Sequence, residues 1–178
     1  MKERGIIMNE TLNTILTRRS TRKFADKGIS REDMELIVQA GLHAPSGMGR
    51  QTWQFTVVQN QEMIRRLAGA VEAVLDRPGY DMYKPQALII PSNEENSPWG
   101  RDDNACAMEN IFLAAHSLGI GSVWINQLCG ICHEPKIREI LTELGIPGDH
   151  VVYGLAALGY AEDEKTPKAR TGKVVYVE

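Results

Sequence analysis

Arg18-Arg19-Ser20-Thr21-Arg22-Lys23-Phe24 places four cations and two hydroxyls in the six residues before an aromatic. Arginine carries a rigid fork of donors that fits phosphate oxygens, and hydroxyls complete such a cage. Taken alone, the cluster also reads as a solvated basic turn. Two further stretches decide between these readings. One is Ala44-Pro45-Ser46-Gly47-Met48-Gly49-Arg50-Gln51-Thr52-Trp53-Gln54-Phe55, and the other is Lys168-Ala169-Arg170.

The chain has 178 residues, 43% hydrophobic and 24% charged, which suits one domain (1–178) with a sizeable core. A net charge of −3 gives no global attraction to nucleic acid, so a cationic site must be local and suits one small anion. Residues 1–8 hold an apolar run too short for a secretory segment and are expected to be a flexible N-terminus. No run approaches the ~18 apolar residues of a membrane span. The expectation is therefore a cytoplasmic protein that engages neither membrane nor nucleic acid.

Helical spacing of Leu12, Ile15 and Leu16 predicts a first helix up to Thr17, with the basic cluster as the following turn. Ser30 to Asp33 reads as a capping box for a helix over 31–42. Pro45, Gly47 and Gly49 make 44–49 a loop, and β-branched 55–58 a strand. An amphipathic helix follows over 61–75, then an apolar strand over 87–90. Asp102 or Asp103 is expected to cap a helix through Leu118. That helix is apolar around most of its circumference, which argues for burial at a subunit interface. Strands are predicted over 121–125, 151–160 and 174–177, with a helix from Pro135 between the first two. Alternating strands and helices give an α+β or α/β class.

Cys106 reads as a small core residue. Cys129-Gly-Ile-Cys132-His133 resembles a metal, redox or haem-attachment motif, but no second Cys/His pair completes a zinc site and no export segment favours haem. The expectation is reduced structural thiols and no metal. His43, His116, His133 and His150 show no carboxylate at telling spacing and are expected to be structural or surface residues.

In the 44–51 loop, small residues let a flat aromatic ligand approach the backbone, and Gln51 can both donate and accept. Together the three stretches resemble the FMN-dependent nitroreductase family. Its members show an early Arg-Arg-Ser-x-Arg-x-Phe and a following Ala-Pro-Ser-x-x-Asn-x-Gln-Pro-Trp-x-Phe. Asn110 to Ile125, Tyr153 to Tyr160 and the late Lys168-x-Arg170 extend the likeness over roughly residues 10 to 178. The resemblance implies an α+β fold, with a mixed sheet flanked by helices, paired as an intimate homodimer with flavin at the interface. It implies that Arg18, Arg19, Ser20, Arg22, Lys168 and Arg170 enclose the FMN phosphate. Pro45, Ser46 and Gly47 would reach the flavin ring from the partner subunit, with Gln51 orienting that loop or the ribityl chain. Ile125, Asn126 and Gln127 would lie along the flavin edge. Strand 174–177 would reach onto the partner's sheet.

The implied activity passes hydride from NAD(P)H through the flavin to a nitroaromatic, quinone or similar acceptor, with no protein acid or base named. The alternative is a non-catalytic flavin-binding redox sensor or flavin scavenger. Gly49 stands where many members have Asn, and Thr52 where they have Pro. Residues 92–101, with Trp99, are the one candidate lid in a short chain.

Overall fold

A computed structural model describes residues 9–163 and 169–178. The first helix, α1 (Glu10–Thr17), starts where Asn9 Oδ1 accepts the Leu12 amide at 2.8 Å. In α2 (Arg31–Leu42) Ser30 caps the helix and pairs with Asp33 at its third position. Ser30 Oγ accepts the Asp33 amide at 3.0 Å and donates to Asp33 Oδ2 at 2.7 Å. A short 3₁₀ turn at Gly47–Gly49 leads into β1 (Trp53–Val58). Asn60 Oδ1 then accepts the Glu62 and Met63 amides and opens α3 (Gln61–Leu75). The remaining elements are β2 (Ala87–Glu94), α4 (Gly100–Ser117), β3 (Gly121–Ile125), α5 (Pro135–Glu143), β4 (His150–Val151) and β5 (Leu155–Gly159).

The sheet runs β1-β2-β5-β3, with β4 also paired to β2, and each of these ladders is antiparallel. Its mixed character comes from one parallel bridge, Ser20 to Ser122, which lays the cationic segment beside β3. Both faces of the central strands are buried, which explains their unbroken apolar runs. Leu88 and Ile90 of β2, with Leu155 and Ala157 of β5, pack on Ile64, Leu67 and Val71 of α3 and Ile137 and Leu141 of α5. Their alternates Ala87, Ile89, Ala156 and Leu158 pack on Met34 and Ile37 of α2 and Met108, Ile111 and Ala115 of α4. This period-two split makes a three-layer α/sheet/α stack.

Several sequence expectations need correction. The strand predicted over 151–160 is two strands, β4 and β5, interrupted at 152–154. Residues 174–177 form no strand within this chain; they are 69–94% exposed. Helix α4 begins at Gly100, so Asp102 and Asp103 lie inside its first turn rather than capping it. Cys106 is exposed, not core, because it shares a helix face with Asp102 and Glu109. The opposite face of α4 is covered within its own protomer, against α2 and the sheet.

Candidate flavin site

The cationic segment is held by backbone pairing. The Thr21 amide donates to Ser122 O at 2.8 Å, and the Ala25 amide donates to Tyr160 O at 2.8 Å. Isolated bridges at Ser20 and Phe24 fix the segment against β3 and Ala161. Arg18 lies over the Phe112 ring at 5.6 Å, with Nε 3.6 Å from Glu109 Oε1. The Arg22 guanidinium sits 5.9 Å from the Tyr83 ring. Lys23 pairs with Asp163 at 3.8 Å. A cavity of about 500 Å³ is lined by Arg19, Ser20, Arg22 and Lys23 together with Thr17, Thr21, His116 and Gly121. Arg18 lies outside that lining, so the cavity covers only part of the expected cage.

Gly121 explains why the segment can lie so close to β3. A Cβ there would stand 2.6 to 2.8 Å from three side-chain atoms of Thr21. We expect Gly121→Ala to lift the segment and break the Thr21 bond to Ser122. Flavin affinity should fall several-fold, since one such bond is worth on the order of 1 kcal/mol. Titration of apo-protein measures this, and an unchanged affinity would count against the cage.

His116 stands in the cavity wall. Thr17 Oγ1 donates to Asn13 O at 2.7 Å and lies 2.8 Å from His116 Nε2. Burial, helped by the nearby Arg18 cation, holds the His116 pKa below the usual histidine value.

The flavin-edge candidates lie at the far end of the strand that the cage adjoins. Ile125 closes β3, and Asn126 and Gln127 follow it. At about 3.3 Å per residue, they stand roughly 10 to 16 Å along the chain from Ser122. The Asn126 amide donates to Gln127 Oε1 at 3.1 Å, so it is exposed and held by its own neighbour.

Pro45, Ser46, Gly47 and Gln51 are not brought to this cage within one chain. They form a separate loop with positive φ at Met48 (54°), Gly49 (66°) and Gln51 (52°). Ser46 Oγ accepts the Gln51 amide at 3.2 Å and closes the loop. The Gly47 amide donates to Asp103 Oδ1 at 2.7 Å, and a Cβ on Gly47 would meet Trp99 at 2.4 Å. Arg170 lies on the exposed C-terminal segment, and Lys168 falls outside the described residues.

The nitroreductase family profile matches residues 15–160. The chain belongs to the nitroreductase family.

A crystal structure of a nitroreductase with bound FMN from Bacteroides fragilis NCTC 9343 is 44% identical, with a TM-score of 0.83 over 95% of this chain and 100% of that one. A nitroreductase with bound FMN from Desulfitobacterium hafniense DCB-2 is 29% identical, with a TM-score of 0.84 over 97% and 100%. The NADPH-flavin oxidoreductase of Vibrio harveyi is 30% identical over 92% of this chain and 70% of its own length.

Within the family pattern, the departures now have structural readings. Thr52 replaces a proline, and its hydroxyl donates to Asn93 Oδ1 at 2.7 Å, a bond proline cannot make. Gly49 holds positive φ in open space, so the missing asparagine costs an amide rather than a fold constraint. In the candidate lid the two ends differ. Ser92 and Asn93 are buried in β2, and Trp99 packs on the Gly47 turn, with the Arg50 guanidinium 5.3 Å from its ring.

Sequence reading missed two residues that shape this candidate site. Asp103 is buried and anchors Gly47, but an acidic residue in a first helical turn reads as solvent-facing. Tyr83 sits in a turn where Met82, Tyr83 and Lys84 all take positive φ (54°, 67° and 49°) and is presented to Arg22. The only local signal was Asp81, whose Oδ1 accepts the Tyr83 amide at 2.9 Å.

Proposed function

We propose that this chain is a single-domain FMN-dependent oxidoreductase that takes hydride from NAD(P)H and reduces electron-poor acceptors such as nitroaromatics or quinones. The observation that carries this reading is the placement of a cation and hydroxyl cluster at one end of β3 and an exposed backbone amide at the other. The donor set fits the cofactor. Among the described residues no carboxylate pairs with Arg22, and Arg18 has only a long contact to Glu109. A phosphate dianion satisfies such a cage by charge-assisted hydrogen bonds.

Arg18, Ser20 and Arg22, with Arg19 beside them, hold the phosphate. Lys168 and Arg170 complete the cage from the C-terminal segment. Ile125, Asn126 and Gln127 would border the ring, and the Asn126 amide, now donating to Gln127 Oε1, would be a donor for it. The loop Pro45 to Gly47 would cover the flavin of a partner subunit, with Gln51 bracing it and Asp103 keeping that loop in place. When bound, FMN supplies the hydride acceptor and the electron donor, so the protein's work is position and electrostatics. Such an enzyme acts as a homodimer in the cytoplasm, where reduced nicotinamide is at hand.

Purified protein is expected to be yellow, with flavin absorption bands. NADH or NADPH should bleach those bands without oxygen, and a nitroaromatic or quinone should restore them. A flavin that stays oxidised with both nicotinamides would favour the sensor or scavenger alternative. A colourless protein that also fails to bind added FMN would overturn both.

A further inference from the structure

The flavin reading leaves one cluster of reactive groups unused. After β3 the chain passes through consecutive tight turns. The Cys129 amide donates to Asn126 O at 3.0 Å, the Ile131 amide to Leu128 O at 3.1 Å, and the Glu134 amide to Ile131 O at 3.0 Å. Gly130 takes φ of 87° between the two cysteines. Cys129 is half-buried, whereas Cys132 is 2% exposed and belongs to the core beneath. Arg101 Nη2 lies 3.4 Å from Cys129 Sγ, and the same guanidinium sits 5.7 Å from the Tyr153 ring. Burial, above all, holds the Tyr153 phenol pKa above its usual value, and Cys129 and Cys132 add to the rise. Among the described residues no three His, Cys, Asp or Glu side chains are grouped to hold a metal.

A dithiol whose first sulfur is reachable and lies beside a cation, and whose second is shielded three residues on, has the design of an exchange site. We propose that Cys129 and Cys132 form a thiol–disulfide exchange site for small-molecule disulfides. Cys129, as thiolate, attacks one sulfur of the disulfide. That S–S bond breaks, and the leaving thiolate takes up a proton. Cys132 then gives up its proton and attacks the Cys129 sulfur. The second small thiol leaves, and an intramolecular disulfide remains. Two protein thiols are oxidised, and one external disulfide is reduced to two thiols. Arg101 offsets the negative charge at Cys129 Sγ as it attacks. A partly covered sulfur admits a small disulfide more readily than a folded protein's.

This goes beyond the flavin reading, and its test does not need that reading to hold. The chain as purified is used in a Cys106→Ser background, because Cys106 is exposed and would react on its own. Glutathione disulfide is the probe, with thiol counting and intact mass as readouts. The parent should lose both thiols and two hydrogens of mass, with no retained glutathione. Cys132→Ser should keep one glutathione on Cys129. Cys129→Ser should not react. Arg101→Gln should slow the reaction by about tenfold. Unchanged thermal midpoints show that the variants are folded. In the flavin-loaded protein the double serine variant should keep NAD(P)H oxidation within about threefold, below ~1 kcal/mol in barrier terms. Thiols that survive excess glutathione disulfide in the folded parent would overturn the proposal. So would a stable glutathione adduct on Cys129 with Cys132 present.

Discussion

Arg18→Ala is expected to weaken FMN binding by roughly tenfold to a hundredfold, while riboflavin binding changes much less. Charge-assisted hydrogen bonds contribute about 1.5–3 kcal/mol each, and riboflavin lacks the phosphate that would receive them. Arg22→Ala should behave alike, because Arg22 lines the same cavity as Arg19 and Ser20. Arg18 also lies over Phe112 and near Glu109, so its loss removes some packing as well. The riboflavin control separates these effects. Packing damage would lower both affinities together, whereas loss of a phosphate contact lowers only that of FMN. Arg170→Ala is expected to follow the same pattern if the C-terminal segment closes the cage. Equal losses for FMN and riboflavin in titrations of apo-protein would refute the assignment of the cage.

Much of the fold was legible because its signals are local. Helix α3 runs over the 61–75 span that its periodicity predicts, since Asn60 caps it and the chain turns left-handed at Asp76 (φ 45°). The Ser30 capping box likewise encodes its helix start within four residues. Helix α4 was legible as a helix but not in its orientation. Asp103 and Asn104 are buried where patterning counts polar residues as surface, and Cys106 is exposed among apolar neighbours. The site follows the same division. Cations and hydroxyls at 18–23 announce anion chemistry by composition. What pins them is Gly121 and Ser122, about a hundred residues later, and no local pattern encodes such a pairing. The Arg101 contact to Cys129 was invisible for the same reason.

The second large effect concerns assembly. Helix α1 is amphipathic, yet it buries no residue in its own chain, and Leu12, Ile15 and Leu16 remain 40%, 48% and 60% exposed. A surface helix normally turns its apolar stripe to a core, and an unpartnered stripe marks an interaction surface. Leu42, at the end of α2, is also exposed, and among the described residues the tail Val174 to Val177 has neither a strand partner nor cover. Helix α4 buries its core face within one chain, so in the proposed homodimer the contact is assigned to α1 and the tail. Fully burying one such aliphatic side chain contributes about 1.5–3 kcal/mol. The double change Ile15→Glu, Leu16→Glu is therefore expected to convert a homodimer into a monomer. The monomer should lose most of its flavin, because the Pro45 to Gly47 loop then has no partner ring to cover. Light scattering read alongside flavin absorbance at micromolar concentration tests both parts. A variant that stays dimeric and yellow would show that α1 is not the contact. A flavin-loaded monomer in the parent protein would remove the dimer from the reading altogether.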